Sequence, residues 1–534
     1  MSRRAIASVT AAFVAGALAI ATHSYAGNTV PAYEAGHAGP SGGPVQLSVM
    51  SQNIFYGGDD YDLSTGDFCA VSDGCPRALH RLAGVIKKAG ADVVGVQEAE
   101  RNTRRLARLL GWYASPRAHV ISRFPIVDPP GSGGVYVFVE PTPGRVVAVA
   151  NMHLPSTPYG PYEVRDGATA AQLKKVELET RMPAIIEPLG VLKRLMARGI
   201  PVVVTGDFNS PSHLDWTAAV SAVRPEVPYP FVWPVSKALA DAGLVDSYRE
   251  VHPDPVATPG FTWTPGGPET DPHEVFDRID WVLHSPGITA NQSRLVGEVG
   301  GADVDVAVAP PYPSDHRGVV STLDVALAQS PVLVAVSNRR VIKNKRLAVT
   351  FHAPGQPGEH VRLVRHRSHG RTHAVRSKPT GPSGTHDGTV TFGSKRLKPG
   401  RYDARLKSAG GKTLSHTAFW VYTRGSHATV EPRRQEFRVG QPIKVHWTRA
   451  PGMGLDWIGI FRCHRVKCAG NGGYLLYTYT RTKIVGNGAI GPSAATLEGA
   501  VSWPLPAGKY VVRLLVDDSY VSIAHSRHFR IRGT

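Results

Sequence analysis

Six short segments spread over residues 51–317 most constrain what this chain can fold into. They are S-Q-N-I (51–54), G-V-Q-E (95–98), N-M-H-L (151–154), G-D-F-N (206–209), F-D-R-I-D-W-V (276–282) and P-S-D-H-R (313–317). Most close an apolar or β-branched run with a polar residue, which is how a sheet presents ligands at its edge. Together they supply Asn53, Glu98, His153, Asp207, Asn209, Asp280, Asp315 and His316. Hard oxygen donors with two imidazoles suit metal-assisted cleavage of a phosphate ester.

The 534 residues imply more than one domain. Arg3 and Arg4 followed by an apolar stretch over 5–21 and the small-x-small Ser24-Tyr25-Ala26 predict a signal peptide over 1–26, so export. Residues 27–44 read as a disordered leader. No later run is apolar and long enough to span a bilayer.

From 45 to 328, strand-like and helix-like segments alternate. Strands are expected at Val45–Phe55, Asp92–Val96, Val135–Val139, Val146–Met152, Pro201–Thr205, Phe276–Leu283 and Gly318–Val325. Helices are expected at Pro76–Gly90, Glu98–Gly111 and Ala168–Arg198, the last broken at Pro183 or Pro188. This order implies two packed sheets with helices outside.

From Pro331 the helical period disappears and the chain repeats itself. Val349-Thr350-Phe351-His352-Ala353-Pro354-Gly355 recurs, with one insertion, as Val445 to Gly452. Pro399-Gly400-Arg401-Tyr402 recurs as Ala507-Gly508-Lys509-Tyr510. Two small all-β sandwich domains are expected, 331–424 and 428–534.

Charge divides at the same place. Residues 1–330 carry 26 Lys and Arg against 33 Asp and Glu, a net of −7. Residues 331–534 carry 34 against 9, a net of +25. Such a tail seeks polyanions: nucleic acid, anionic lipid or wall polymer. Cys69/Cys75 and Cys463/Cys468 read as two local disulfides in an exported chain. Zinc is the rival, weakened because neither pair has C-x-x-C spacing. Asp59-Asp60, Asp62 and Asp67 read as a solvated loop clipped by the first disulfide, with an extra cation site as the weaker reading.

Each site residue has a bland reading by itself. Asn53 serves as a strand-end turn residue, Glu98 as a first-turn helix acid, Asp207 and Asn209 as an Asx turn, His153 as a core histidine. The bland reading leaves their shared order unexplained. Taken together, the six segments resemble the endonuclease/exonuclease/phosphatase superfamily, with its DNase I-like nucleases, sphingomyelinases and inositol polyphosphate phosphatases. The resemblance spans about residues 45–328 and implies an α+β fold: a DNase I-like four-layer α/β/β/α sandwich, here followed by the two β domains. It implies that Asn53, Glu98 and Asp315 hold Mg²⁺, with Mn²⁺ or Ca²⁺ as alternatives. It implies catalytic roles for His316, His153, Asp207, Asn209 and Asp280, with Asp280 paired to His316. Ile121 to Pro125, Phe261-Thr262-Trp263 and Arg278-Ile279-Asp280 match further family segments, expected to be structural.

The expected activity is that of a secreted, divalent-metal-dependent hydrolase acting on phosphodiester bonds, with nucleic acid favoured by the cationic tail. A sphingomyelinase-type phospholipid phosphodiesterase is the alternative, and an inositol-phosphate phosphatase comes third. A non-catalytic binding module would be free to lose ligands, and this chain has every one. In the tail, Asp456-Trp457-Ile458-Gly459-Ile460-Phe461 resembles a strand of immunoglobulin-like domains, with Trp457 expected in the core.

Overall fold

Period-two alternation with both strand faces apolar sets the architecture of the first part of the chain. The computed structural model describes residues 43–533, apart from 60, 64–66, 70–74, 76, 100–101, 266–273, 367–371, 424–427, 454, 465–466, 469–473, 481–482, 492–494, 497–502 and 518–520. The expected signal peptide and nearly all of the leader lie outside the described residues.

The chain opens with β1 (Val45–Asn53) and a ribbon of β2 (Tyr61–Asp62) and β3 (Asp67–Phe68). Then come α1 (Ala78–Ala89), β4 (Val93–Gln97) and α2 (Thr103–Leu110). Five strands follow: β5 (Tyr113–Ser115), β6 (Val120–Ser122), β7 (Ile126–Val127), β8 (Tyr136–Thr142) and β9 (Arg145–His153). Helices α3 (Gly160–Arg165), α4 (Ala170–Thr180) and α5 (Met182–Met196) lead to β10 (Val202–Asp207). After α6 (Ala218–Ser221), α7 (Pro234–Asp241), β11 (Val245–Asp246) and α8 (Ser247–Val251) come β12 (Asp280–His284) and β13 (Ile288–Glu298). β14 (Val304–Val308), β15 (Gly318–Val325) and β16 (Ala328–Gln329) complete this part.

These strands form two sheets, ordered β14-β13-β15-β1-β4-β6-β5 and β11-β12-β10-β9-β8-β7. The alternation assigns each face. Leu47, Val49 and Val93 of the first sheet meet Val147, Val149, Val203 and Val282 of the second. The intervening residues turn outward. Met50, Val94 and Val96 pack under Leu82, Ile86 and Leu106 of α1 and α2. Ala148, Val202 and Val204 pack under Ile185, Leu192 and Leu239 of α5 and α7.

Toward one edge the inter-sheet face turns polar. Gln97 Nε2 donates to Asn151 Oδ1 at 2.6 Å, which also accepts from Thr205 Oγ1 at 3.0 Å. Ser51 Oγ accepts from Gly206 N at 3.0 Å and from Gln97 Nε2 at 3.2 Å. The sheets close tightly here: a Cβ on Gly95 would sit 1.8 Å from Thr205 Oγ1 and 2.4 Å from Asn151 Oδ1.

Several element boundaries differ from expectation; the strand expected from Phe276 starts only at Asp280. Glu98 is not in a helix; its φ is +55°, and α2 begins only at Thr103. The long helix breaks at Arg181, between α4 and α5. Pro183 then sits in the first turn of α5, where its missing N–H costs nothing, while Pro188 lies inside the helix without ending it.

Beyond β16 the chain contains no helix among the described residues. β17 (Leu333–Val336), β18 (Arg340–Ile342), β19 (Arg346–His352), β20 (His360–His366), β21 (Thr372–Pro379), β22 (Asp387–Gly393), β23 (Gly400–Lys407) and β24 (Thr413–Tyr422) build two sheets, β17-β19-β22 and β18-β24-β23-β20-β21. The last stretch repeats the pairing. Thr429–Pro432 pairs with Ile443–Thr448 as β17 does with β19, and Glu436–Arg438 runs parallel to Phe529–Arg532 as β18 does to β24. Tyr402 and Tyr510 each donate to a carbonyl four residues back, Lys398 and Pro506. Both disulfides, Cys69–Cys75 and Cys463–Cys468, are formed, so the second pair has no thiolate for zinc. Trp457 is buried against Tyr474 and Tyr477.

A charge cluster joins the three parts. Asp128 accepts from Arg117 at 2.8 Å and Arg339 at 3.2 Å, and Asp517 lies 3.4 Å from Arg117 and 3.9 Å from Arg339. Burial pushes the Asp128 carboxyl up, but Arg117 and Arg339 outweigh it and hold the pKa at about 2.

Gly95→Ala should cost about 1–3 kcal/mol by overpacking, read as an earlier denaturant midpoint; an unchanged midpoint would mean that the sheets have slack. A carboxyl depressed on folding stabilises above its unfolded pKa and loses this as pH falls toward the folded value. The contribution of Asp128, about 2 kcal/mol, should therefore be present above about pH 4 and vanish toward pH 2. At neutral pH, Asp128→Asn should speed proteolytic cutting between residues 325 and 340; equal rates would show that the cluster does not dock the parts.

Candidate active site

The sheet registers explain why six distant segments meet. β1 runs parallel to β4 with Asn53 opposite Gln97, so Glu98 follows at the same edge. β9 runs parallel to β10 with His153 opposite Asp207, and Asp207 in turn lies opposite Asp280 of antiparallel β12. His316 arrives just before β15, the other neighbour of β1. Ends of parallel strands open on one side, where polar groups find a common mouth.

Within it, Asn53 Nδ2 donates to Asp207 Oδ2 at 2.9 Å and to Glu98 Oε1 at 3.2 Å. Asn53 Oδ1 accepts from Phe55 N, and Glu98 Oε2 accepts from Tyr56 N at 2.7 Å. His316 Nδ1 meets Asp280 Oδ2 at 2.9 Å, while His316 Nε2 lies 3.7 Å and His153 Nε2 3.5 Å from Asp207 Oδ2. Asp207, Asp280 and His316 bring one ligand atom each within 4.8 Å of one another. Asn209 N donates to Asp207 Oδ1, and its side-chain amide donates to Leu154 O. All eight residues singled out in the sequence thus lie at or beside one mouth. Asp315 is placed there by sequence adjacency to His316 and by its charge coupling to Glu98 and Asp207.

Exposure separates the members. The His153 side chain is 12% exposed, whereas Asp280 is fully buried behind His316. Four of the ten non-glycine residues with positive φ among the described residues lie here, Phe55, Tyr56, Glu98 and Asn209.

The electrostatics are lopsided. Burial pushes the Asp315 carboxyl up to about 8, with His316 opposing and Glu98 and Asp207 adding to the rise. Burial also raises Asp280, against His316. Burial disfavours the His316 imidazolium, yet Asp280 and Asp207 outweigh it and hold its pKa well above the usual range. Asp315 Oδ1 is buried without a hydrogen-bond partner. Four carboxylates with an orphaned oxygen form a donor set that fits a divalent cation.

Support comes from residues to which the sequence assigned no catalytic or metal-binding role, Thr262, Trp263 and Arg278 having been expected to be structural. Ser314 Oγ donates to Asn53 O and accepts from His316 N. Gln52 Nε2 donates to His316 O. Thr262 Oγ1 accepts from Ile279 N and Asp280 N at 3.0 Å each, and the Trp263 ring lies 4.9 Å from that of His316. Arg278 points away, into a buried pair of carboxylates, Asp215 and Asp246. The buried Arg181–Glu177 pair holds the loops after His153 and Asn209 through Pro158 O and Ser210 Oγ. The only sequence signals were a hydroxyl two residues before a histidine and a threonine within a matched segment. One expectation fails: Asp59 is buried and paired with Arg105 at 2.6 Å, not solvated. An acid beside an exposed basic helix finds a partner there. Asp60 and the side chains of Asp62 and Asp67 lie outside the described residues.

The chain belongs to the endonuclease/exonuclease/phosphatase family, whose profile matches residues 50–316. Members of that family are hydrolases of phosphoester bonds and typically depend on divalent metal. An uncharacterised protein of Caenorhabditis elegans is 31% identical over 264 residues, covering 45% of this chain and 83% of that protein. Among solved structures, an endonuclease/exonuclease/phosphatase from Beutenbergia cavernae DSM 12333 is 22% identical, covers 70% of this chain and 99% of its own, and has a TM-score of 0.32. An AP endonuclease from Archaeoglobus fulgidus is 15% identical, covers 52% and 100%, and has a TM-score of 0.30.

In Asp280→Asn, the His316 imidazolium loses its main counter-charge while remaining buried. Its pKa, followed by imidazole NMR in metal-free protein, should drop from above the ordinary 6.5 to that value or below; an unmoved titration would show that the pair is not electrostatically coupled.

Proposed function

We propose that the chain is an exported, divalent-metal-dependent phosphodiesterase acting on nucleic acid. The observation that carries this reading is the His316–Asp280 couple aimed at Asp207, with Glu98 and Asp315 beside it. In this reading residues 45–328 form the catalytic domain, a four-layer α/β/β/α sandwich. Residues 331–424 and 428–534 form two accessory immunoglobulin-like β-sandwiches, and 1–26 a signal peptide.

Asn53, Glu98 and Asp315 would hold Mg²⁺, or Mn²⁺ or Ca²⁺, which supplies charge neutralisation to the phosphate oxygens. Asn53 Oδ1 keeps a second lone pair for this beyond its bond to Phe55 N. Asp207 accepts a proton from water, and Asn209 fixes the Asp207 carboxylate through its backbone N–H. Asp280 keeps His316 charged and oriented, so that Nε2 donates to a phosphate oxygen. His153, the more exposed imidazole, is placed to protonate the leaving oxygen. The products are an alcohol and a phosphomonoester. Nucleic acid is preferred over a phospholipid or an inositol phosphate because of the +25 net charge of residues 331–534.

The test is a panel of plasmid DNA, RNA, sphingomyelin and inositol phosphates, with and without EDTA. Nucleic acid should be cut with Mg²⁺, spared in EDTA, and spared again on removal of His316, with a rate loss of about 10²–10⁴. Activity that survives EDTA overturns the proposal. Turnover confined to sphingomyelin or inositol phosphates transfers the site to that substrate class.

A further inference from the structure

The positive charge of the tail is concentrated in its first half. Residues 331–424 hold 19 Lys and Arg against three acids, Glu359, Asp387 and Asp403. Glu359 is buried, accepting from Gly355 N and Gln356 N, so it screens nothing outside.

The sheet β18-β24-β23-β20-β21 sends Val361, Leu363, Tyr402, Ala404 and Leu406 into the core. Alternation therefore sends Arg362 of β20 with Arg405 and Lys407 of β23 to the other face. The register sets Arg362 directly opposite Arg405, and His360 opposite Lys407. Like charges facing each other across strands destabilise a sheet. The Lys407 ammonium registers this: desolvation first, then Arg362 and Arg405, pull its pKa down. Asp403 offsets part of the charge, 3.1 Å from Arg405 and 2.9 Å from His366. Arg362 Nη2 lies 3.1 Å from His360 Nε2. On the neighbouring edge strand β21 it is Ser377 that lies opposite Arg362; Arg376 and Lys378, opposite Leu363 and Val361, belong to the other side of the sheet. Elsewhere on the same face Trp420 is covered by Met453 and Val516 of the last part of the chain, whereas Arg362, Arg405 and Lys407 are only half-buried.

The chemistry selects the occupant. Attachment to a membrane surface is strengthened by apolar side chains inserted beside the charges. Among the described residues of 331–424 none of the large apolar side chains is exposed. Guanidinium forks on a stiff sheet suit repeated phosphates instead.

We infer that this face, centred on Arg362, Arg405 and Lys407, docks the phosphate backbone of nucleic acid without regard to sequence. The inference deepens the proposed function and takes from it the choice of polymer. The test uses the full chain in EDTA, so that binding is read without cleavage. A variant carrying Arg362→Gln, Arg405→Gln and Lys407→Gln is compared with one carrying only Arg362→Gln and Lys407→Gln, which keeps Asp403 paired. Both should bind a short duplex DNA at least about tenfold more weakly. The slope of log affinity against log salt should flatten by about 1 per residue removed. Turnover of a small chromogenic phosphodiester with Mg²⁺ should stay at the parental level. Unchanged affinity and slope overturn the inference, as does wild-type binding to phosphatidylserine vesicles with none to DNA. DNA binding that persists in a protein unable to cut nucleic acid would sink the catalytic proposal and leave this surface standing.

Discussion

The polar seam between the two sheets is the interaction on which the site depends. Three of the contributing strands repeat one plan on the inter-sheet face: an apolar residue, a hydrogen-bonding residue, then a residue of the mouth. Val49, Ser51 and Asn53 follow it in β1, Val149, Asn151 and His153 in β9, and Val203, Thr205 and Asp207 in β10. The valines hold the sheets together, and the seam fixes their spacing where side chains must be aimed to fractions of an ångström. Gly95 permits the close approach. The buried network, paired except at Gln97 Oε1, ties the two sheets together, so Asn53 and Asp207 sit on a cross-linked base.

Above that base, negative charge accumulates beyond what the two histidines answer. Burial denies Asp315 and Asp280 the water that would stabilise their ionised forms, and the imidazolium of His316 compensates in part. The strained turns at Phe55, Tyr56, Glu98 and Asn209 store backbone energy in the same few residues. This is the opposite of what stability alone would select, and it is typical of sites where a charged ligand completes the balance.

Much of this was legible in the sequence. Strands β1, β10 and β15 end close to where the apolar runs end, and all eight singled-out residues gather at one mouth. Gathering is readable because period-two alternation carries facing information over many residues. What escaped is local or long-range in a way that alternation does not encode. Glu98 looked like a first-turn acid, but a left-handed φ places it outside α2. The acid at Asp59 looked solvated because nothing nearby in sequence marks Arg105 as its partner. Ser314 and Thr262 work by hydrogen-bonding backbone groups across the fold, and a lone hydroxyl in a loop carries no such signature. Short strands such as β5 and β7 have too few residues for a period to register.

The attachment of the basic part has a geometric corollary. It meets the first part of the chain at the β8–β9 turn, where β16 pairs with Arg145 and Val146 and His352 approaches Glu140; Arg339 reaches Asp128, just after β7. β9 ends at His153, eight residues farther on, so a strand of roughly 26 Å separates the β8–β9 turn from the mouth. At about 3.4 Å per nucleotide along one strand of duplex, that stretch is roughly eight nucleotides long. Under the proposed function, a substrate that touched both ends of this strand would have to be at least that long.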